Sequence, residues 1–227
     1  MKYTDFQYII SPPRMGRYYI AMANNSKKAM TLYRSNLKLS QELFTVISCF
    51  EIAIRNAIDR VYINSLGNDW LRNSAAPGGI FSNPNCRIAA QTINDEVIKL
   101  SHQYTHAKLV AELGFGFWRY LYSSHQFRAG GQILLRVFPS RPTSTPAMQY
   151  NATYIFRELQ KVNLLRNRIA HHEPICFLPG QPVKNTIYVR QNYALLLNLF
   201  QWMSIDEAAL LYGLDHVINI CNDIDVL

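Results

Sequence analysis

RELQKVNLLRNRIAHHEP, residues 157–174, places Arg166, Asn167, His171 and His172 within seven residues at the end of an apolar-periodic run. Leu159, Val162, Leu165 and Ile169 recur at intervals of three and four, the period of one buried stripe on an α-helix. Pro174 biases Glu173 out of the helical region of backbone space. The helix is therefore predicted to start near Ala147 or Ala152 and to end near His171 or His172.

The spacing at the tail of this helix has chemical content. Asn167 and His171 stand four apart and share a helix face, where the amide is positioned to hold an imidazole nitrogen and select its tautomer. Arg166 and His171 stand five apart, so their side-chain directions diverge by roughly 140° on a helix of about 3.6 residues per turn. They meet only through the reach of Arg, a loosened last turn or a second chain. A guanidinium that forks onto phosphate oxygens, beside an imidazole that moves a proton, is sufficient equipment for cleaving RNA through its own 2′-hydroxyl. That chemistry calls for no metal and no cofactor.

Upstream, Leu43, Ile47, Phe50, Ile54, Ile58 and Val61 mark the stripe of the longest helix, predicted from Gln41 to about Asn64 with Ser40 as its N-cap. Glu51, Arg55 and Asp59 form an i,i+4 ladder beside that stripe, and Asn56 lies on its edge. An earlier helix is predicted from about Arg14 to Tyr33, after Pro12 and Pro13. Arg14 and Arg17 on it either grip phosphate or form a solvated basic face. Residues 66–87 concentrate Gly, Pro and Asn and read as one long loop. Helix resumes near Ile88, with breaks expected at Ser101 or Gly114. Further helices are predicted at Asn185–Trp202, at Ser204–Tyr212 with Ser204 as cap, and at Leu214–Ile224. His102 and His106 stand four apart, a spacing open to a metal, but no Cys or carboxylate stands at a helpful distance along the sequence, so no metal site is expected. Strand alternation is scarce and no repeat is visible. The chain reads as an all-α bundle.

Charge points to the class of partner. The 227 residues carry a net charge of +8, and it is unevenly spread. Residues 1–40 hold seven Lys or Arg against Asp5 alone, whereas residues 201–227 hold five acids and no Lys or Arg. Between Glu112 and Glu158 no acid occurs, while Arg119, Arg128, Arg136, Arg141 and Arg157 accumulate. Such segregation suits a surface that meets a polyanion. Four scattered cysteines without a CxxC pair suit a reduced compartment. The amino-terminal residues lack the pattern of a secretion signal and no run approaches the length of a membrane span, so a cytoplasmic protein without a membrane partner is expected.

Arg166-Asn167-x-x-x-His171 resembles the R-x(4–6)-H motif of the HEPN superfamily, and LRNRIAHHEP around it resembles the Abi (abortive infection) family of bacterial phage-defence proteins. SQELFTVISCFEIAIRNAID at 40–59, LVAELGFGFWRYL at 109–121 and PPRMGRYYIAM at 12–22 resemble the same family and follow its order. The resemblance implies a HEPN-like helical bundle with additional helices, a single domain over 1–227 with a helical elaboration at 1–40 and the long loop at 66–87. It implies a metal-independent endoribonuclease acting as a homodimer and as a toxin-like effector, with an antitoxin or a regulatory RNA as a further partner. Arg166 and His171 would then be catalytic and Asn167 would orient the ring. His172, Glu51, Arg55, Asn56, Arg14 and Arg17 would support the site or bind RNA, with Glu51, Arg55 and Asn56 facing the catalytic helix. The competing expectation for the same residues is an RNA-binding or protein-interaction module of the same fold without turnover.

Overall fold

The computed structural model describes residues 1–227 and is all-helical; its one extended pairing is an isolated antiparallel bridge between Phe177 and Lys184. The α-helices are α1 Tyr3–Ile10, α2 Pro12–Ala21, α3 Ser26–Leu66, α4 Trp70–Ala75, α5 Arg87–Leu100, α6 His106–Glu112, α7 Phe115–Tyr120, α8 Ser124–Ala129, α9 Ala152–Ala170, α10 Ile187–Trp202, α11 Glu207–Leu210 and α12 Val217–Val226. No helix is long and apolar enough to cross a membrane.

Four segments differ from the sequence-based expectation, each for a local reason. The single helix expected over 14–33 is broken after Ala21, where Ala23 and Asn24 take left-handed φ of 49° and 63°. Asn25 then caps α3, its Oδ1 accepting from the Lys28 N–H at 3.0 Å. Ser40 is therefore inside a 41-residue helix and caps nothing. The buried run Ala29, Leu32, Asn36, Leu39 and Leu43 keeps the helical period through it, and one mid-helix serine costs only about 0.5 kcal/mol. The loop expected at 66–87 contains α4 and a 3₁₀ turn, Pro84–Cys86. Trp70, Leu71 and Phe81 in this Gly- and Pro-rich stretch are fully buried and tie it down. The helix expected at Ser204–Tyr212 shrinks to the single turn of α11, with Ser204 in a left-handed conformation rather than at a cap.

The chain packs as two compact units, one of Met1–Ser48, Leu164–Leu197 and Glu207–Leu227, the other of Cys49–Asn163 and Asn198–Asp206. In the first, α1 packs on α2. Tyr18 is fully buried, with its ring 4.9 Å from Phe177 and 5.3 Å from Tyr33. Arg190 ties α10 to α12 through Asp225 at 2.8 Å and Asn222 at 2.7 Å. In the second, α5 packs against α4, α6 and α7. Phe50 meets Phe115 and Phe200 edge-on, and Tyr62 lies 4.3 Å from Trp70.

The stripe of α9 is buried as expected: Leu159, Val162 and Leu165 have no exposed surface and Ile169 has 8%. Its start is set by Asn151, whose Oδ1 accepts from the Tyr154 N–H at 3.1 Å. Cys86, Cys176 and Cys221 are buried free thiols, and Cys49 is half-buried. Burial pushes the Cys176 thiol up to about 12 and the Cys221 thiol up to about 11, so neither forms the reactive thiolate at neutral pH.

Candidate functional site

The tail of α9 ends in a closed backbone motif. The Glu173 N–H bonds the Arg168 carbonyl at 2.8 Å and the His172 N–H bonds the Ile169 carbonyl at 2.9 Å, the paired closure that ends many helices. His172 occupies the left-handed position of that motif, with φ of 56°, where glycine is the favoured residue. Arg168 locks the exit: its Nη2 donates to the Pro174 carbonyl at 2.7 Å, its Nε lies 3.3 Å from Glu173 Oε2, and its guanidinium sits 4.8 Å from the centre of the Tyr188 ring. The chain beyond is pinned by Asn36, 3% exposed, whose Oδ1 accepts from the N–H groups of Ile175 at 2.9 Å and Cys176 at 3.2 Å.

This closure sorts the side chains by exposure. His171 and His172 are exposed, while Arg166 and Asn167 are half-buried, with Arg166 Nε shielded from solvent. The link between Asn167 and His171 is the main-chain bond from the His171 N–H to the Asn167 carbonyl at 2.9 Å, in place of the expected amide-to-imidazole bond. Arg14 and Arg17 lie half-buried on α2 in the same unit. The Arg17 guanidinium sits 5.5 Å from the centre of the Phe177 ring. Burial raises the Cys176 thiol, and a backbone hydrogen bond and the charges of Arg17 on α2 and Arg168 on α9 act against that rise.

No family model, curated protein or solved structure matches the chain. The site therefore stands on its own residues. One unit holds Arg14, Arg17, Arg166, Asn167, His171 and His172, whereas Glu51, Arg55 and Asn56 belong to the other. There Asn56 is exposed and Arg55 Nη1 reaches the Ala111 carbonyl at 3.5 Å. The expected ladder does not close at Asp59, which instead accepts from Trp70 Nε1 at 2.7 Å and meets His106 Nε2 at 2.7 Å. His106 Nδ1 lies 3.7 Å from Asp69, so this ring stands between two carboxylates, while His102 is exposed.

Two residues with positioning roles, Arg168 and Asn36, were not among the expected site residues. A signal for Asn36 exists in the sequence: it is the one polar residue on the face defined by Leu32, Leu39 and Leu43. Arg168 offers no such signal, because its partners follow the helix end. The backbone at His172 supplies a direct check. His172→Gly removes a Cβ from a left-handed position and an exposed side chain with no bond to lose. It is expected to raise stability by roughly 0.5–1 kcal/mol, read as a higher urea midpoint with an unchanged slope. A lower midpoint would show that the ring itself holds the helix end.

Proposed function

We propose that this protein is a metal-independent endoribonuclease of the abortive-infection type, cutting RNA by internal transesterification as a homodimer in the cytoplasm. The observation that supports it best is the solvent-exposed His171 at the tail of α9, following a half-buried Arg166, in a unit whose α2 brings in Arg14 and Arg17. In this reading His171 of one copy takes the proton of a ribose 2′-hydroxyl, whose oxygen attacks the adjacent phosphorus. The bond from phosphorus to the 5′-oxygen breaks, and His171 of the second copy gives that oxygen its proton. The products are a 2′,3′-cyclic phosphate and a 5′-hydroxyl end. Arg166 from each copy stabilises the charge that builds on the phosphorane oxygens. A dimer supplies both a base and an acid from one motif, and it removes the need for Arg166 and His171 of one chain to meet across a five-residue interval. Asn167, His172 and the arginines of α2 position the strand; Glu51, Arg55 and Asn56 serve as supporting or RNA-binding residues. An antitoxin or a regulatory RNA restrains such an effector until infection.

The test is incubation of the purified protein with labelled RNA in EDTA, followed by analysis of fragment ends. Fragments ending in 2′,3′-cyclic phosphate are expected, and a strict need for a divalent metal sinks the mechanism. A second reading, an RNA-binding module without turnover, is favoured by the His171 ring having no hydrogen bond from the protein to orient it. Salt-dependent RNA binding without cleavage is its signature.

A further inference from the structure

The acid-free stretch between Glu112 and Glu158 contains a cleft that the reading above does not use. Of its five arginines, Arg119 is stacked on Phe156, with its guanidinium 4.5 Å from the ring centre. Arg136 and Arg141, in contrast, both line an open cleft of about 490 Å³ together with Gly131, Gln132 and Pro139. The backbone here is well determined by its own residues. Gly131 and Gln132 take consecutive left-handed φ of 77° and 58°, turning the chain out of α8 into the 3₁₀ turn Ile133–Val137. Leu134, Val137 and Phe138 are buried and anchor that turn. Arg136, exposed and without an ion-pair partner, thus projects from a fixed backbone beside the buried Val137.

Arg141 is the more informative of the pair. Its Nη1 donates to the carbonyls of Leu135 and Phe138, each at 3.1 Å, and so closes the C-terminal end of the 3₁₀ turn. That structural role occupies Nη1 alone. The Nε and Nη2 donors make no bond to the protein, and together they are the edge of a guanidinium that meets two oxygens of an oxyanion side-on. A fork already immobilised by two carbonyl bonds loses little further freedom on binding. No carboxylate lines the cleft to repel an anion or to neutralise the arginines.

We propose that this cleft is a phosphate-binding site, with Arg141 holding two phosphate oxygens through Nε and Nη2 and Arg136 supplying the second positive charge. The phosphate belongs either to a nucleic-acid backbone or to a small phosphorylated ligand, and the two sources separate experimentally. Titration of the full-length protein with inorganic pyrophosphate, in parallel with a short single-stranded RNA over a range of salt, reads binding rather than cleavage. Loss of the nuclease reading therefore leaves this site untouched. Arg136→Gln, at an exposed position, is expected to keep the thermal midpoint and to weaken pyrophosphate about tenfold, the effect of one charge-assisted hydrogen bond. If RNA follows the cleft, the same variant lowers the slope of log affinity against log salt by about one. A loss confined to pyrophosphate assigns the cleft to a small phosphorylated ligand. Arg141→Lys keeps the charge and removes the fork, and is expected to weaken the same ligand as Arg136→Gln. Unchanged pyrophosphate and RNA binding in a folded Arg136→Gln protein overturns the proposal.

Discussion

His171→Ala is expected to lower RNA cleavage in EDTA by about 10²- to 10⁴-fold, the range a positioned general acid or base contributes. The same substitution is expected to leave stability within about 0.5 kcal/mol of the parent, because His171 is exposed and its tie to the helix is a main-chain bond that alanine also makes. This combination separates chemistry from folding: a residue that held the tail of α9 would move both quantities. In a dimer each composite site draws one His171 from each copy, so mixing parent and variant subunits is also informative. A hybrid keeps only one ring per composite site, losing either the base or the acid, and its activity falls well below half that of the parent dimer. Activity that scales with the fraction of parent chains argues for a site complete within one chain. Undiminished cleavage by His171→Ala ends the assignment of this ring as the proton carrier.

What was legible beforehand follows the range over which each signal acts. The stripe of α9 was readable because helical burial is encoded locally, at intervals of three and four, and all four of its residues are buried. The stop was readable because Pro174 excludes the residue before it from the helix, and α9 ends at Ala170. Capping chemistry was less decisive: Ser40 and Asn25 both satisfy the cap preference, and the choice fell to Leu32 and Leu39 continuing the buried face upstream. Composition misled at 66–87, since Gly and Pro outnumber the three apolar anchors that order the segment. The ladder stops short of Asp59 for a different reason. Arg55 stands four residues from Asp59, but Trp70 and His106, eleven and forty-seven residues away in sequence, reach the same carboxylate. Spacing along one helix carries no information about donors delivered by another. The candidate site shows both behaviours: the motif residues were visible as a run, while one of the two side chains that hold the exit of that run, Asn36, comes from α3.

Asn36 is the residue where this long-range support is expected to show most strongly in stability. Its Oδ1 is the acceptor for two buried main-chain donors, Ile175 N–H and Cys176 N–H, in the segment that leaves the candidate site. Asn36→Leu keeps the heavy-atom branching of the side chain and removes the acceptor, leaving both donors without water or a partner. An orphaned buried N–H costs about 1–3 kcal/mol, so a combined loss of roughly 2–5 kcal/mol is expected, a large part of the total for a marginally stable fold. Urea unfolding monitored by circular dichroism measures it. Asn36→Asp restores an acceptor for both donors while placing a charge at a 3% exposed position; it is expected to recover the local bonds and still lose stability through desolvation. Hydrogen exchange separates the two effects: the amides of residues 175 and 176 lose protection in the Leu variant and keep more of it in the Asp variant. A loss in Asn36→Leu below about 1 kcal/mol means that Arg168, gripping Glu173 and Pro174 from the α9 side, suffices to hold the exit. A large loss places the geometry of His171 and His172 under the control of a side chain contributed by α3.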